Sequence, residues 1–283
     1  MSMLMLEQTV GARPVRSSRQ ARYIAWTRIA SLVGLGLIIA FALVGPLVLP
    51  DPAAQDLARY LQPPSVADPL GTDDYGRSVA SRVAHATRVS LLLAAVCVAT
   101  ALILGCVAGV LSAWFGGWVD ALLRSISEAF VAVPALLVVL LVSALAAPGS
   151  MVALYVGLAL VQWVEFFRVV RARSALVLGS PAVEAAGLLQ LGWPHVVRRH
   201  LWPALRPLLV TLSSLGMVTS ILAMSTLGFV KVGLQPPRAE LGLMITESFP
   251  FYDAAPWMPL APVAVLFCLT VCLLGLRSNE EGR

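Results

Sequence analysis

The sequence predicts an all-α polytopic membrane protein with about six transmembrane helices. Hydrophobic residues make up 59% of the 283-residue chain and charged residues only 12%, against about 25% charged in soluble domains. Mean hydropathy is +0.85. Six stretches (29–49, 89–113, 120–145, 151–168, 208–230 and 258–277) approach or exceed the roughly 20 apolar residues that a membrane helix needs. The chain therefore divides into an N-terminal segment 1–28, a transmembrane domain 29–277 and a short tail 278–283.

The first span follows an arginine-rich lead of Arg13, Arg16, Arg19, Arg22 and Arg28. Its apolar stretch, Ile29 to Leu49, is 21 residues, longer than the ~7–15 of a signal-peptide core. With no small-x-small cleavage site after it, an uncleaved span is expected.

The next connection, 50–88, contains Asp68-Pro69-Leu70-Gly71-Thr72-Asp73-Asp74-Tyr75-Gly76-Arg77. Asp68-Pro69 and Gly71 predict a turn, with Thr72 or Asp73 capping the helix that follows. Tyr75, Val79, Val83 and Ala86 recur every three to four residues, while Arg77, Arg82, His85 and Arg88 fall elsewhere. That pattern predicts an interfacial helix running into the second span. The second span carries Ala101, Gly105, Gly109 and Ala113 in one row, which lets a neighbouring backbone approach closely in lipid. Ser213, Gly216 and Ser220 give the fifth span a similar edge, available to a neighbouring span or a partner subunit.

The third span contains Arg124 and Glu128 one turn apart. Charges at that depth cost a few kcal/mol each and face protein or water. Two readings stand: a structural pair that neutralises itself along the helix, or contact with a passing solute.

Between the fourth and fifth spans lies the connector 169–207, the longest basic segment outside the spans. Pro181 and Pro194 are thirteen residues apart. Proline suits a first helical turn and the residue before it resists helical geometry, so Pro181 is expected to open one short helix and Trp193 to close it. Leu188, Leu189 and Leu191 would give it an apolar side. A short helix held outside the membrane suits docking against a partner; the alternative is a basic loop that only fixes orientation.

Orientation follows from the positive charges. With both termini inside, inner segments hold fourteen of the Arg and Lys residues and outer segments six. This places both termini and the connector in the cytoplasm and segment 50–88 outside.

Other chemistries are disfavoured. Without basic–aromatic alternation outside the spans, nucleic-acid binding is not expected. A phosphate-cradling loop needs lysine after glycine, and the single lysine, Lys231, follows Val230. Cys97, Cys106, Cys268 and Cys272 all lie in apolar runs and are expected to be reduced and buried. His195 and His200, five apart, are poorly placed to share a helix face and lack acidic neighbours, so no metal site is expected. No catalytic constellation is present.

The connector also carries a resemblance. Glu184-Ala185-Ala186, then His200 and Pro203, resembles the EAA loop of bacterial ABC import permeases, with Gln190 where the family usually has glycine. Gly187 and Gly192 flank Gln190, which suggests a displaced bend. Leu70-Gly71-Thr72-Asp73-Asp74-x-Gly76-Arg77 resembles the stretch before the family's second span, with Ser78 where aspartate is common. Glu128 six residues before Pro134 fits the third span, and Gln235-Pro236-Pro237 fits the connection before the sixth. In that connection Lys231 replaces the usual glycine; it either meets an anionic solute at the outer mouth or snorkels to the surface. Together these stretches, spanning roughly Asp68 to Arg277, resemble the C-type permease subunit of the dipeptide/oligopeptide/nickel transport family.

The resemblance implies a type I ABC importer permease in the bacterial inner membrane, without its own ATPase site, forming half of the path for di- or oligopeptides. It implies a heterodimer with a homologous permease subunit, two ATP-binding subunits that hold ATP and magnesium, and an extracytoplasmic solute-binding protein. Membrane lipid surrounds the spans. Glu184 would anchor the docking helix, Ala185 and Ala186 would permit close approach, and Pro203 would start the return to the fifth span. Uptake of nickel or a metal chelate is the alternative cargo, and a self-sufficient secondary transporter or channel the alternative mechanism.

Overall fold

The computed structural model describes residues 18–147, 150–230 and 238–277. Lys231 and Gln235-Pro236-Pro237 lie outside the described residues, as do 1–17 and the tail 278–283. The described residues form helices α1 (Ser18–Val48), α2 (Val79–Phe115), α3 (Gly117–Ala132), α4 (Ala135–Ala144), α5 (Met151–Leu178), α6 (Pro181–Leu188), α7 (Trp193–Val196), α8 (Trp202–Phe229), α9 (Leu241–Ser248) and α10 (Trp257–Arg277). No strand occurs among them beyond an isolated bridge between Thr72 and Ser78.

Among the described residues five helices are long and apolar enough to cross a membrane, or six if α3 and α4 together make one crossing. The stretch expected as the third span is therefore bent rather than straight. Its two arms meet at 85°. The cause is local: Pro134 offers no N–H and pushes Val133 out of helical geometry, to φ −99° and ψ 129°.

The helix expected before the second span runs into it as one continuous α2, from Val79 rather than Tyr75, capped by Ser78, whose Oγ accepts from Ser81 N–H. Thr72 and Asp73 do not cap it. The fourth span runs on as α5 to Leu178, ten residues past the expected 168.

The core is built on close backbone contact between α2 and α5. A Cβ at Gly105 would stand 2.8 Å from the Phe167 backbone nitrogen, and one at Gly109 would stand 2.9 Å from that of Arg171. The glycine row thus serves packing within the chain. The edge on α8 does likewise: a Cβ at Gly216 would meet Gln162 Nε2 at 2.5 Å, and Ser220 Oγ donates to Gln162 Oε1 at 2.9 Å. Around this seam Val98, Ala101, Phe166, Val170, Leu205 and Leu209 form one buried cluster.

At the end of the bundle that holds 50–78 and 238–256, Asp73 is the organising residue. Its carboxylate accepts from the backbone N–H groups of Tyr75 and Arg77, from Arg77 Nε and from Arg82 Nη1. Arg77 and Arg82 are buried in this network rather than spread along a membrane surface. Trp257, at the start of α10, donates to the Thr72 carbonyl.

Candidate functional site

The connector begins where α5 ends. The Gly179 N–H donates to Ala175 and Val177 carbonyls, and Ser180 is extended, so Pro181 can occupy the first turn of α6. Glu184 also stands in that first turn, where a carboxylate is favoured by the helix dipole. Glu184, Ala185 and Gly187 are exposed, whereas Ala186 is buried.

The helix ends at Leu188, not at Trp193 as the proline spacing suggested. Leu191 N–H donates to the Ala186 carbonyl at 3.0 Å, and Gln190 N–H to the Gly187 carbonyl at 2.9 Å. These two bonds make a Schellman motif, whose pivot residue adopts the left-handed conformation usually reserved for glycine. The pivot is Gln190, at φ +54°. The bend is therefore not displaced to a flanking glycine: Gly192 has φ −63° and opens the next helix.

Trp193 starts the return rather than closing α6. From Trp193 to Phe229 the chain is one helix, containing a π-turn at Val197–Leu201. Pro203 consequently lies ten residues inside it. Trp202 N–H reaches back to the Val197 carbonyl across the wider turn, just before Pro203, which has no N–H to give. The same widening brings residues five apart onto one face. The His195 and His200 rings lie 5.9 Å apart, contrary to expectation. No group of three or more His, Cys, Asp or Glu side chains suited to a metal occurs among the described residues.

Leu188, Leu189, Leu191 and Trp193 are all exposed around the bend. Contiguous exposed apolar side chains mark interaction surfaces. Beside this patch α6 presents the Glu184 carboxylate.

Arg124 and Glu128 lie on α3, one arm of the broken span, with Arg124 Nη2 3.5 Å from Glu128 Oε1. Their side chains are 53% and 68% exposed, so the pair is not enclosed at depth in a straight span. A stronger link escaped sequence reasoning. Arg171 Nη2 donates to Asp120 Oδ2 at 2.6 Å, and Ser112 also donates to Asp120. It ties the α2–α3 corner to the stretch of α5 that leads to the connector, and 51 residues separate the two partners in sequence. Asp73 and Arg82 were missed for a similar reason, although the four-residue spacing of Asp73 and Arg77 is a readable sign.

Residues 101–279, which include the connector, match the family of binding-protein-dependent transport system inner membrane components. The chain belongs to that family. It is 31% identical over 257 residues to the dipeptide transport system permease protein DppC of Alkalihalophilus pseudofirmus, covering 89% of this chain and 83% of that one. It is 30% identical over 256 residues to DppC of Haemophilus influenzae, covering 85% of each chain. With the probable D,D-dipeptide transport system permease protein DdpC of Escherichia coli it shares 30% identity over 253 residues, 87% of this chain and 85% of that one. This permease is thus a multi-pass membrane subunit of an ABC importer, working with separate ATPase and solute-binding components. The secondary-transporter alternative is set aside on the same ground.

Proposed function

We propose that this permease forms half of an inner-membrane translocation path for di- or oligopeptides and is driven through its α6 connector. The observation that carries the reading is the exposed face of that connector, Glu184 beside Leu188, Leu189 and Trp193, held between two membrane-length helices. Ala185, which is exposed, is small enough for close approach of a partner, whereas Ala186 is buried within the chain. His200, half-buried within the π-turn, stands beside His195 on the helix that follows this face. The names of the relatives, all dipeptide permeases, favour peptide over nickel as cargo.

In this reading both termini and the connector face the cytoplasm, as the arginine distribution suggests. A homologous permease subunit completes the path as a heterodimer, and two ATPase subunits dock on the two connectors. ATP and magnesium sit in those ATPases, because the chain offers no glycine–lysine phosphate loop. Closure of the ATPases draws the connectors together, and the spans rock to expose the path alternately to either side. Arg124 and Glu128 act as a structural pair that holds α3.

The experiment is co-purification. Glu184→Lys should lose the ATPase subunits and ATP-dependent peptide uptake while still co-purifying with the partner permease. A variant that keeps its ATPase and full uptake would show that Glu184 does not anchor the docking.

A further inference from the structure

A cavity of about 420 Å³ lies between the break in the third span, α5 and α8. This is within the range of about 300–1,000 Å³ typical of small-ligand pockets. One wall is apolar, formed by Phe130, Val133 and Pro134 at the break. The other presents Gln162, Glu165 and Arg168 from α5, with Thr219 and Ser220 from α8.

The polar wall is partly fixed and partly free. Gln162 is buried, its Oε1 accepts from Ser220 Oγ at 2.9 Å, and its Nε2 lies 3.5 Å from Thr219 Oγ1. Glu165 and Arg168 are exposed. Their three-residue spacing would let them pair along the helix. No ion pair joins them to each other or to another described residue. By contrast Arg171, one turn beyond Arg168, is held by Asp120.

Their position matters. Glu165 lies three residues before, and Arg168 at, the inner end expected for the fourth span, on a helix that runs on to Leu178 and the connector. Both charges line the cavity without a protein partner among the described residues and are free to meet water or a ligand. Non-helical backbone such as Val133-Pro134 is tolerated within a span where it lines a cavity or is covered by protein.

We propose that this cavity is a solute subsite on the path, built for a short zwitterionic peptide. Glu165 receives the ammonium end, and Arg168 receives the carboxylate end. The anchored Gln162 and Thr219 supply hydrogen bonds to the amide between them, while Phe130 and Val133 cover an apolar side chain. This assignment rests on the peptide-importer reading above.

The test uses the complete importer, with partner permease, ATPases and binding protein, reconstituted in vesicles and supplied with L-alanyl-L-alanine. Glu165→Gln and Arg168→Gln should each lower uptake at least tenfold, with subunit assembly and binding-protein-stimulated ATP hydrolysis within twofold of wild type. Glu165→Asp, which keeps the charge, should retain at least a third of the uptake rate. Uptake unchanged in both glutamine variants would overturn the subsite. Loss of assembly or hydrolysis along with uptake would also overturn it, placing these charges against a partner subunit. A wild-type complex that moves no dialanine would remove the peptide reading and the subsite with it, whereas an active wild type with fully active variants removes the subsite alone.

Discussion

Arg82 bridges Asp73 and Glu247: its Nη1 stands 2.7 Å from Asp73 Oδ2 and its Nη2 stands 2.6 Å from Glu247 Oε2. One guanidinium therefore joins the turn before α2 to the end of α9, across 165 residues of chain between Arg82 and Glu247. Asp73, Arg77 and Arg82 are buried, and removing Asp73 leaves Arg82 with Glu247 alone and Arg77 with only Asp74, 3.8 Å away.

Asp73→Ala should accordingly destabilise the protein by about 3–5 kcal/mol, the cost of breaking a buried pair by deleting one member. Thermal unfolding of the detergent-solubilised complex measures it. A loss below about 1 kcal/mol would mean that the two arginines find water instead.

Gln190 holds a glycine conformation without being glycine. A left-handed residue with a Cβ costs roughly 1–2 kcal/mol, so Gln190→Gly should stabilise the connector locally by about 1 kcal/mol. Slower hydrogen exchange at the Leu191 amide, which closes the Schellman motif, is the expected signal. Gln190→Ile should shift it in the opposite direction, because branched side chains resist that conformation.

Gly105 has no room for a side chain against α5, whereas a Cβ at Gly36 of α1 would meet nothing within 4 Å. Gly105→Leu should force α2 from α5 and cost at least about 1–3 kcal/mol, with reduced yield of folded protein. Gly36→Leu should stay within about 0.5 kcal/mol of wild type. Equal effects at the two positions would refute the close-packed seam.

Glu240 is buried, caps α9 by accepting from Leu243 N–H at 2.9 Å and lies 3.5 Å from Ser225 Oγ. Burial pushes its carboxyl above the ordinary glutamate value of 4.5, against the opposing pull of the Gly242, Leu243 and Leu241 N–H groups and the Ser225 hydroxyl. A carboxyl with a raised folded-state pKa binds its proton more tightly in the folded protein, so its stability contribution is greatest at low pH and declines as pH rises through the folded value. Relative to Glu240→Gln, the wild-type thermal midpoint should fall as pH rises above the ordinary glutamate value of 4.5. Parallel pH profiles for the two proteins would exclude this linkage.

The places of the spans were legible because lipid imposes a simple demand on sequence: enough consecutive apolar residues, each helix satisfying its own backbone. Hydropathy alone located α1 and α10 to within a few residues at their apolar ends, and the Gly105–Gly109 row marked a packing edge before any neighbour was known. The position of the connector was equally readable from its prolines, its basic residues and Glu184. Its internal geometry was not. A proline spacing cannot reveal that Leu191 N–H turns back to Ala186, or that a π-turn swings His195 toward His200, since both depend on hydrogen bonds chosen among close alternatives.

Sequence by itself thus determined an all-helical membrane chain, its approximate crossings and its family resemblance, because those follow from composition and from local order along the chain. Tertiary structure alone decided that the third span breaks by 85° at Val133-Pro134, that Asp120 meets Arg171, that Asp73 and Glu247 share Arg82, and that Glu165 and Arg168 face a cavity unpaired. The physical reason is distance. Pro134 permits the break locally, but the other arrangements depend on elements remote in sequence, brought together by packing that no local pattern encodes.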